Sequence, residues 1–152
     1  MTTIHLFTNI KAPIETVFNN SRNITVHIET ASKTNEKAIA GITSGLIELN
    51  ETVTWQGKHF GIYIQHQSII SKMIFPTYFV DEQLKGHFKS FRHQHIFETL
   101  ENGTTKMTDI LEYETPYRIF GKIFDTFLLK KHLIQFIQFR NIYLKKLSEN
   151  QQ

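Results

Sequence analysis

Phe79 to Glu98 reads FVDEQLKGHFKSFRHQHIFE, and its alternation poses a packing problem. Gly86 divides it into two runs of period two, the pattern of a β-hairpin. In the second run Phe91, His93, His95 and Phe97 share one side, while Ser90, Arg92, Gln94 and Glu98 share the other. An antiparallel strand over an ordinary core is apolar on one face and polar on the other. Here both faces carry polar groups, and one of them must be buried.

The flanking sequence supplies the sheet that buries it. Strand-like runs fall at about 37–41, 51–60, 62–72, 78–85, 88–99 and 104–114, with breaks at Gly45, Gly61, Pro76, Gly86 and Asn102-Gly103. Ahead of them, residues 2–10 alternate as a strand. Two short helices follow, one around Ile14, Val17 and Phe18 with Pro13 in its first turn, the other around Ile24 and Ile28, ending near Thr30 to Ser32. Asn19-Asn20-Ser21 breaks the first helix and offers a cap for the second. After Pro116 the period changes. Phe120, Phe124, Phe127, Leu133, Ile137, Leu144 and Leu147 recur at helical spacing, predicting one amphipathic helix to about Leu147 and a frayed tail from Ser148. Short connections favour antiparallel pairing. The expectation is therefore an α+β chain, a curved antiparallel sheet of about seven strands wrapped around its C-terminal helix.

Parity assigns the inner face. Val53, Trp55 and His59 share a side, as do Ile62, Ile64, His66, Ser68 and Ile70; in 104–114 the inner set is Met107, Asp109, Leu111 and Tyr113. The strand 78–85 is ambiguous, because neither Phe79, Asp81, Gln83 nor Val80, Glu82, Leu84 is apolar throughout; the first set is taken as inner. Phe124 and Leu128 face this surface from the helix. An unpaired buried polar group costs about 1–3 kcal/mol. So many cannot sit in plain apolar packing. They bond to one another, or they line a hollow.

Composition narrows the function. The chain has 152 residues, a net charge of +3 and no Cys, which excludes disulfides and thiolate sites and suits a reducing, cytoplasmic setting. The mildly basic balance falls short of a nucleic-acid footprint. No signal peptide is read at the N-terminus, and no apolar run is long enough for membrane insertion.

Three stretches carry a family resemblance: TWQGKHFGI (Thr54 to Ile62), FVDEQLKGHFKSFRHQHIF (Phe79 to Phe97) and GTTKMTDILEYETP (Gly103 to Pro116). They resemble a bacterial subgroup of the START-like, or SRPBCC, superfamily, whose members are often labelled "cyclase/dehydrase". The resemblance runs from about Ile4 to Leu147. It implies a single domain over 1–152 with the helix-grip fold, in which the sheet closes on the last helix around a ligand cavity. It implies no one activity, since that fold hosts carriers, receptors and some enzymes.

The preferred reading is a binder of a small, partly apolar molecule (a lipid, isoprenoid, aromatic or polyketide-like compound) lined by Trp55, His59, His66, Phe79, Asp81, Gln83, Phe91, His93, His95, Phe97, Asp109, Tyr113, Phe124 and Leu128. The alternative is a cyclase- or dehydratase-type enzyme using His95 and Asp109 as an acid–base pair. His93 and His95 also have the spacing of metal ligands, with Asp81 or His59 to complete a set, but a hydrogen-bonded polar cluster is the simpler account. No cofactor is expected, and the sequence implies no oligomeric state. Lys130, Lys131, Arg140, Lys145 and Lys146 read as a solvated basic face, Glu82 and Arg92 as an outer pair, and Tyr117 to Gly121 as the moving entrance.

Overall fold

The computed structural model describes residues 1–31 and 35–151. Its strands are β1 (Thr2–Ile10), β2 (Lys37–Gly41), β3 (Thr52–His59), β4 (Ile62–Ile74), β5 (Tyr78–Lys85), β6 (Ser90–Thr99) and β7 (Thr105–Glu114). Helices α1 (Ile14–Ser21) and α2 (Ile24–Thr30) lie between β1 and β2. The chain ends in α3 (Arg118–Phe124), a π-helical segment (Asp125–Leu129) and α4 (Lys130–Glu149). One seven-stranded sheet has the order β1-β7-β6-β5-β4-β3-β2, and all of its pairs are antiparallel. This is the predicted α+β architecture. Among the described residues, no helix is long and apolar enough to cross a membrane.

Local chemistry explains most boundaries. Pro13 precedes α1 as its N-cap residue rather than lying in its first turn. The cap of α2 is Asn23, whose side chain accepts from the amides of Thr25 and Val26. The Asn19-Asn20-Ser21 triplet, expected to break α1, is helical to Ser21, because Asn20 and Ser21 have partners in the packed chain. Ser32, to which the second helix was expected to run, lies outside the described residues. Gly103 turns the β6–β7 hairpin at φ +74, a conformation open to glycine. Of the strand with ambiguous parity, Phe79 is buried on the inner face, yet Val80 on the opposite face is buried too. In the strand register Val80 lies between Lys72 of β4 and Gln94 of β6, long side chains on the same outer face, so alternation alone does not separate the two faces.

The C-terminal helix departs from prediction in three ways. It is interrupted by the π-helical segment, which stretches the step between inward positions from four residues to five. Phe124 is therefore followed on the cavity side by Leu129, while Leu128, predicted to face inward, is 53% exposed. Arg140, assigned to the solvated basic face, is 5% exposed. The tail is not frayed at Ser148, which is fully buried and accepts from Asn20 Nδ2 at 3.0 Å; Asn20 Nδ2 also reaches Gln151 Oε1 at 3.0 Å. Deleting residues 148–152 leaves buried Asn20 without either acceptor. The expected loss is about 1–3 kcal/mol of unfolding free energy, read from the urea midpoint.

The core has two parts. Phe18 of α1 meets Phe79 and Phe97 edge-on at 5.4 and 5.2 Å, anchoring the larger one under β5 and β6. Ile4, Leu111, Tyr113, Leu129 and Ile137 form the second, between the far end of the sheet and the terminal helix. On the opposite face Arg92 pairs with Glu82 and with Glu112, both at 3.0 Å, so the outer pair expected from sequence extends across three strands.

Candidate functional site

Between the sheet and the terminal helix lies a cavity of about 760 Å³. Its apolar wall includes Val53 and Trp55 of β3, Ile64 and Ile70 of β4, Phe79 of β5, Phe91 of β6, and Phe124, Leu129, Leu133, Phe136 and Ile137 of the helix. His59, His66, Asp81, His93, His95 and Arg140 supply polar atoms to the same wall. Gln83, Phe97, Asp109, Tyr113 and Leu128, named from sequence as lining residues, are not on it. Gln83 turns aside to donate to the carbonyl of Phe88 at 2.9 Å. Phe97 belongs to the core around Phe18, and Tyr113 donates to Asp125. Asp109 stands one layer behind, covered by the imidazoles.

That covered carboxylate is a hub. In the β6–β7 register His95 faces Asp109, so strand pairing alone brings them together. His93 Nε2 bonds Asp109 Oδ1 at 2.9 Å, and Asn141 Nδ2 donates to Asp109 Oδ2 at 2.6 Å. Arg140 Nη1 approaches Oδ1 at 3.5 Å and donates to Asn141 Oδ1 at 3.2 Å, while Nη2 donates to the Ser21 carbonyl at 3.1 Å. His95 Nδ1 lies 3.0 Å from Oδ1 but outside hydrogen-bonding geometry, so this contact is electrostatic rather than directional. The His95 ring stacks on Phe79 at 4.2 Å and lies 3.9 Å from the His93 ring.

The electrostatics follow from this crowding. Burial disfavours the Asp109 carboxylate, but the hydrogen bond with His93 and the electrostatic contact of His95 outweigh it and hold its pKa well below the usual range. Burial and the neighbouring His93 push His95 well below its ordinary value, against the opposing pull of Asp109. Burial also lowers Arg140, which Asp109 and Asp81 partly offset. A carboxylate at 1% exposure, given over to several donors, is poorly placed to take a proton from a bound molecule. His93, His95 and Asp109 do bring three ligand atoms within 4.8 Å of one another, a donor set suited to zinc or iron. A dication there would have to displace the His93 bond and tolerate the Arg140 guanidinium against the same oxygen.

A second cluster sits elsewhere on the wall. His59 Nδ1 meets His132 Nε2 at 3.0 Å, tying β3 to α4, and His27 Nε2 pairs with Glu36 at 3.2 Å. Burial lowers the pKa of His59 and of His132. Beside this cluster Phe60 packs on Phe124 at 5.3 Å and on His132 at 4.8 Å. Tyr117 and Phe120 line the cavity yet are 81% and 78% exposed, which marks the 117–121 segment as its rim. Gly121 packs so tightly there that an added Cβ would stand 1.9 Å from the Pro116 carbonyl.

Sequence reasoning missed Arg140, Asn141, His27, Glu36 and His132. One signal was present: Arg140 is three residues after Ile137 and four before Leu144, squarely on the apolar stripe. Nothing local pairs His132 with His59, which are joined only by packing.

No protein-family model and no curated protein sequence matches the chain. Solved structures do match its fold. The protein TTHA0849 from Thermus thermophilus superposes with a TM-score of 0.74 at 14% identity, covering 97% of this chain and 99% of that one. A START superfamily protein from Mycobacterium smegmatis gives 0.74 at 12%, covering 99% of each chain. Ginseng major latex-like protein 151 from Panax ginseng gives 0.68 at 13%, covering 97% of each. The chain therefore has the START-like helix-grip fold.

Proposed function

We propose that this START-like chain reversibly binds a small amphipathic molecule inside the fold, with an apolar body against the aromatic wall and a polar group beside His93, His95, Asp81 and Arg140. One observation carries the reading. A hollow of about 760 Å³ is walled mainly by aromatic and aliphatic side chains, with a few polar groups converging on it. That size and composition suit small-molecule sites, which span roughly 300–1,000 Å³. Entry past the Tyr117–Gly121 rim and the absence of Cys fit a carrier or receptor working in the cytoplasm. Acid–base turnover by His95 with Asp109 has weaker support, because Asp109 does not reach the wall.

The test uses N-phenyl-1-naphthylamine, an uncharged dye that brightens in apolar surroundings. Saturable binding is expected, and Ile70→Trp, which fills the hollow from β4, should weaken it at least about tenfold, or 1.4 kcal/mol. Circular dichroism checks that the variant folds. No saturable binding, or equal binding by a folded Ile70→Trp variant, refutes cavity binding.

A further inference from the structure

We infer that the molecule held in this cavity presents a hydrogen-bond donor, a hydroxyl or a protonated amine, to Asp81, and that a carboxylate head is disfavoured. This rests on the cavity-binding reading above and specifies the polar end of the ligand.

Within the hub His93 Nε2 and both terminal nitrogens of Arg140 are engaged, while two side-chain oxygens on β5 are not. His93 Nε2 is bound to Asp109. Arg140 is shared among Asp109, Asn141 and the Ser21 carbonyl. The acids near it are also matched: Glu36 by His27, Asp109 by the hub. Asp81 differs. It lies on the cavity wall, between Ile70 of β4 and His93 of β6 in the strand register. Its Oδ1 is buried, and among the described residues it has no hydrogen bond or ion pair. Two residues along the same face, Gln83 Oε1 is a second buried acceptor without a partner, its amide nitrogen being turned to Phe88.

Buried oxygens that lack donors favour whatever brings one. A hydroxyl or ammonium head placed against Asp81 satisfies the free oxygen without disturbing the hub. A carboxylate head would set like charges together in an apolar enclosure and would find Arg140 Nη1 and Nη2 already bonded within the hub. The Asp81 oxygen without a hydrogen bond thus selects the head group, while the aromatic wall accepts many tails.

Chain-matched probes test this: decanol, decylamine and decanoate at pH 8, each displacing N-phenyl-1-naphthylamine from the full chain. For the wild type, decanol or decylamine should bind at least about tenfold tighter than decanoate. A tighter alcohol identifies a neutral donor and a tighter amine a cationic one; either supports the inference. Asp81→Leu should bring the three within about twofold of one another, and near-isosteric Asp81→Asn should narrow the gap by relieving decanoate. Retained dye affinity shows that each variant keeps its cavity. Decanoate equal to or tighter than both donors, or an unchanged ratio in Asp81→Leu, overturns the inference alone. If neither dye nor probes bind, cavity binding fails and takes the inference with it.

Discussion

Asp109→Asn is expected to lower the unfolding free energy by about 3–5 kcal/mol, the usual cost of removing one partner from a buried ion pair. The substitution keeps the shape but removes the charge that Arg140 faces from α4, leaving a guanidinium at 5% exposure beside an amide. It also weakens the acceptor that orients His93. The hub ties β6, β7, α1 and α4 together, so the loss should spread through the fold rather than open one edge. Urea unfolding of the single variants and of Asp109→Asn/Arg140→Met measures it. The double variant should recover a large part of the loss, because it deletes the stranded charge as well as its partner. A single-variant loss under about 1 kcal/mol, or a double variant that is simply additive, would show that the cluster is not a coupled ion pair.

Acidification should destabilise the protein first through histidine and only later through the carboxylate. His95 has a folded-state pKa depressed by burial and by His93. Its unfolded value is about 6.5, so below that pH the unfolded chain takes up a proton that the folded one resists. Its stabilising contribution is complete above about pH 6.5 and declines as pH falls toward the folded value. His59 and His132, depressed by burial in the same direction, add smaller effects because both are partly exposed. Asp109 is also depressed, so its contribution is present above the unfolded value of about 3.9 and is lost below it, as pH falls through the folded value. Melting temperature should therefore be level above pH 7 and fall by several degrees between pH 6.5 and 5. Each unmatched proton contributes a slope of up to about 1.4 kcal/mol per pH unit. His95→Gln should flatten that slope by close to one proton. A melting temperature that holds steady or rises on acidification to pH 5 contradicts the burial of a neutral imidazole.

Both results turn on residues that the sequence made only half visible. His93, His95 and Asp109 could be placed on one face by counting in twos, because a strand sends alternate side chains to opposite sides and the hairpin sets the register. The partner of Asp109 was harder. Arg140 occupies an inward helical position, yet a basic residue in a basic helix reads as solvated until its counter-charge is known, and that charge lies 31 residues earlier in the chain. Leu128 shows the opposite failure. Its spacing was sound for a regular helix, but the π-helical segment moved the inward position to Leu129. That segment places Asp125 against Thr2 and Tyr113, contacts that no local pattern announces.

Local periodicity was enough to establish the element order, the antiparallel sheet and the polar character of its inner face, because each depends on neighbours a few residues apart. Whether those inward groups filled one another's needs or bordered open space depended on how the helix seats over the sheet. Seating is a matter of side-chain volumes and distant charges meeting. It left Asp109 enclosed and matched, and Asp81 on the wall of a hollow with an oxygen unclaimed.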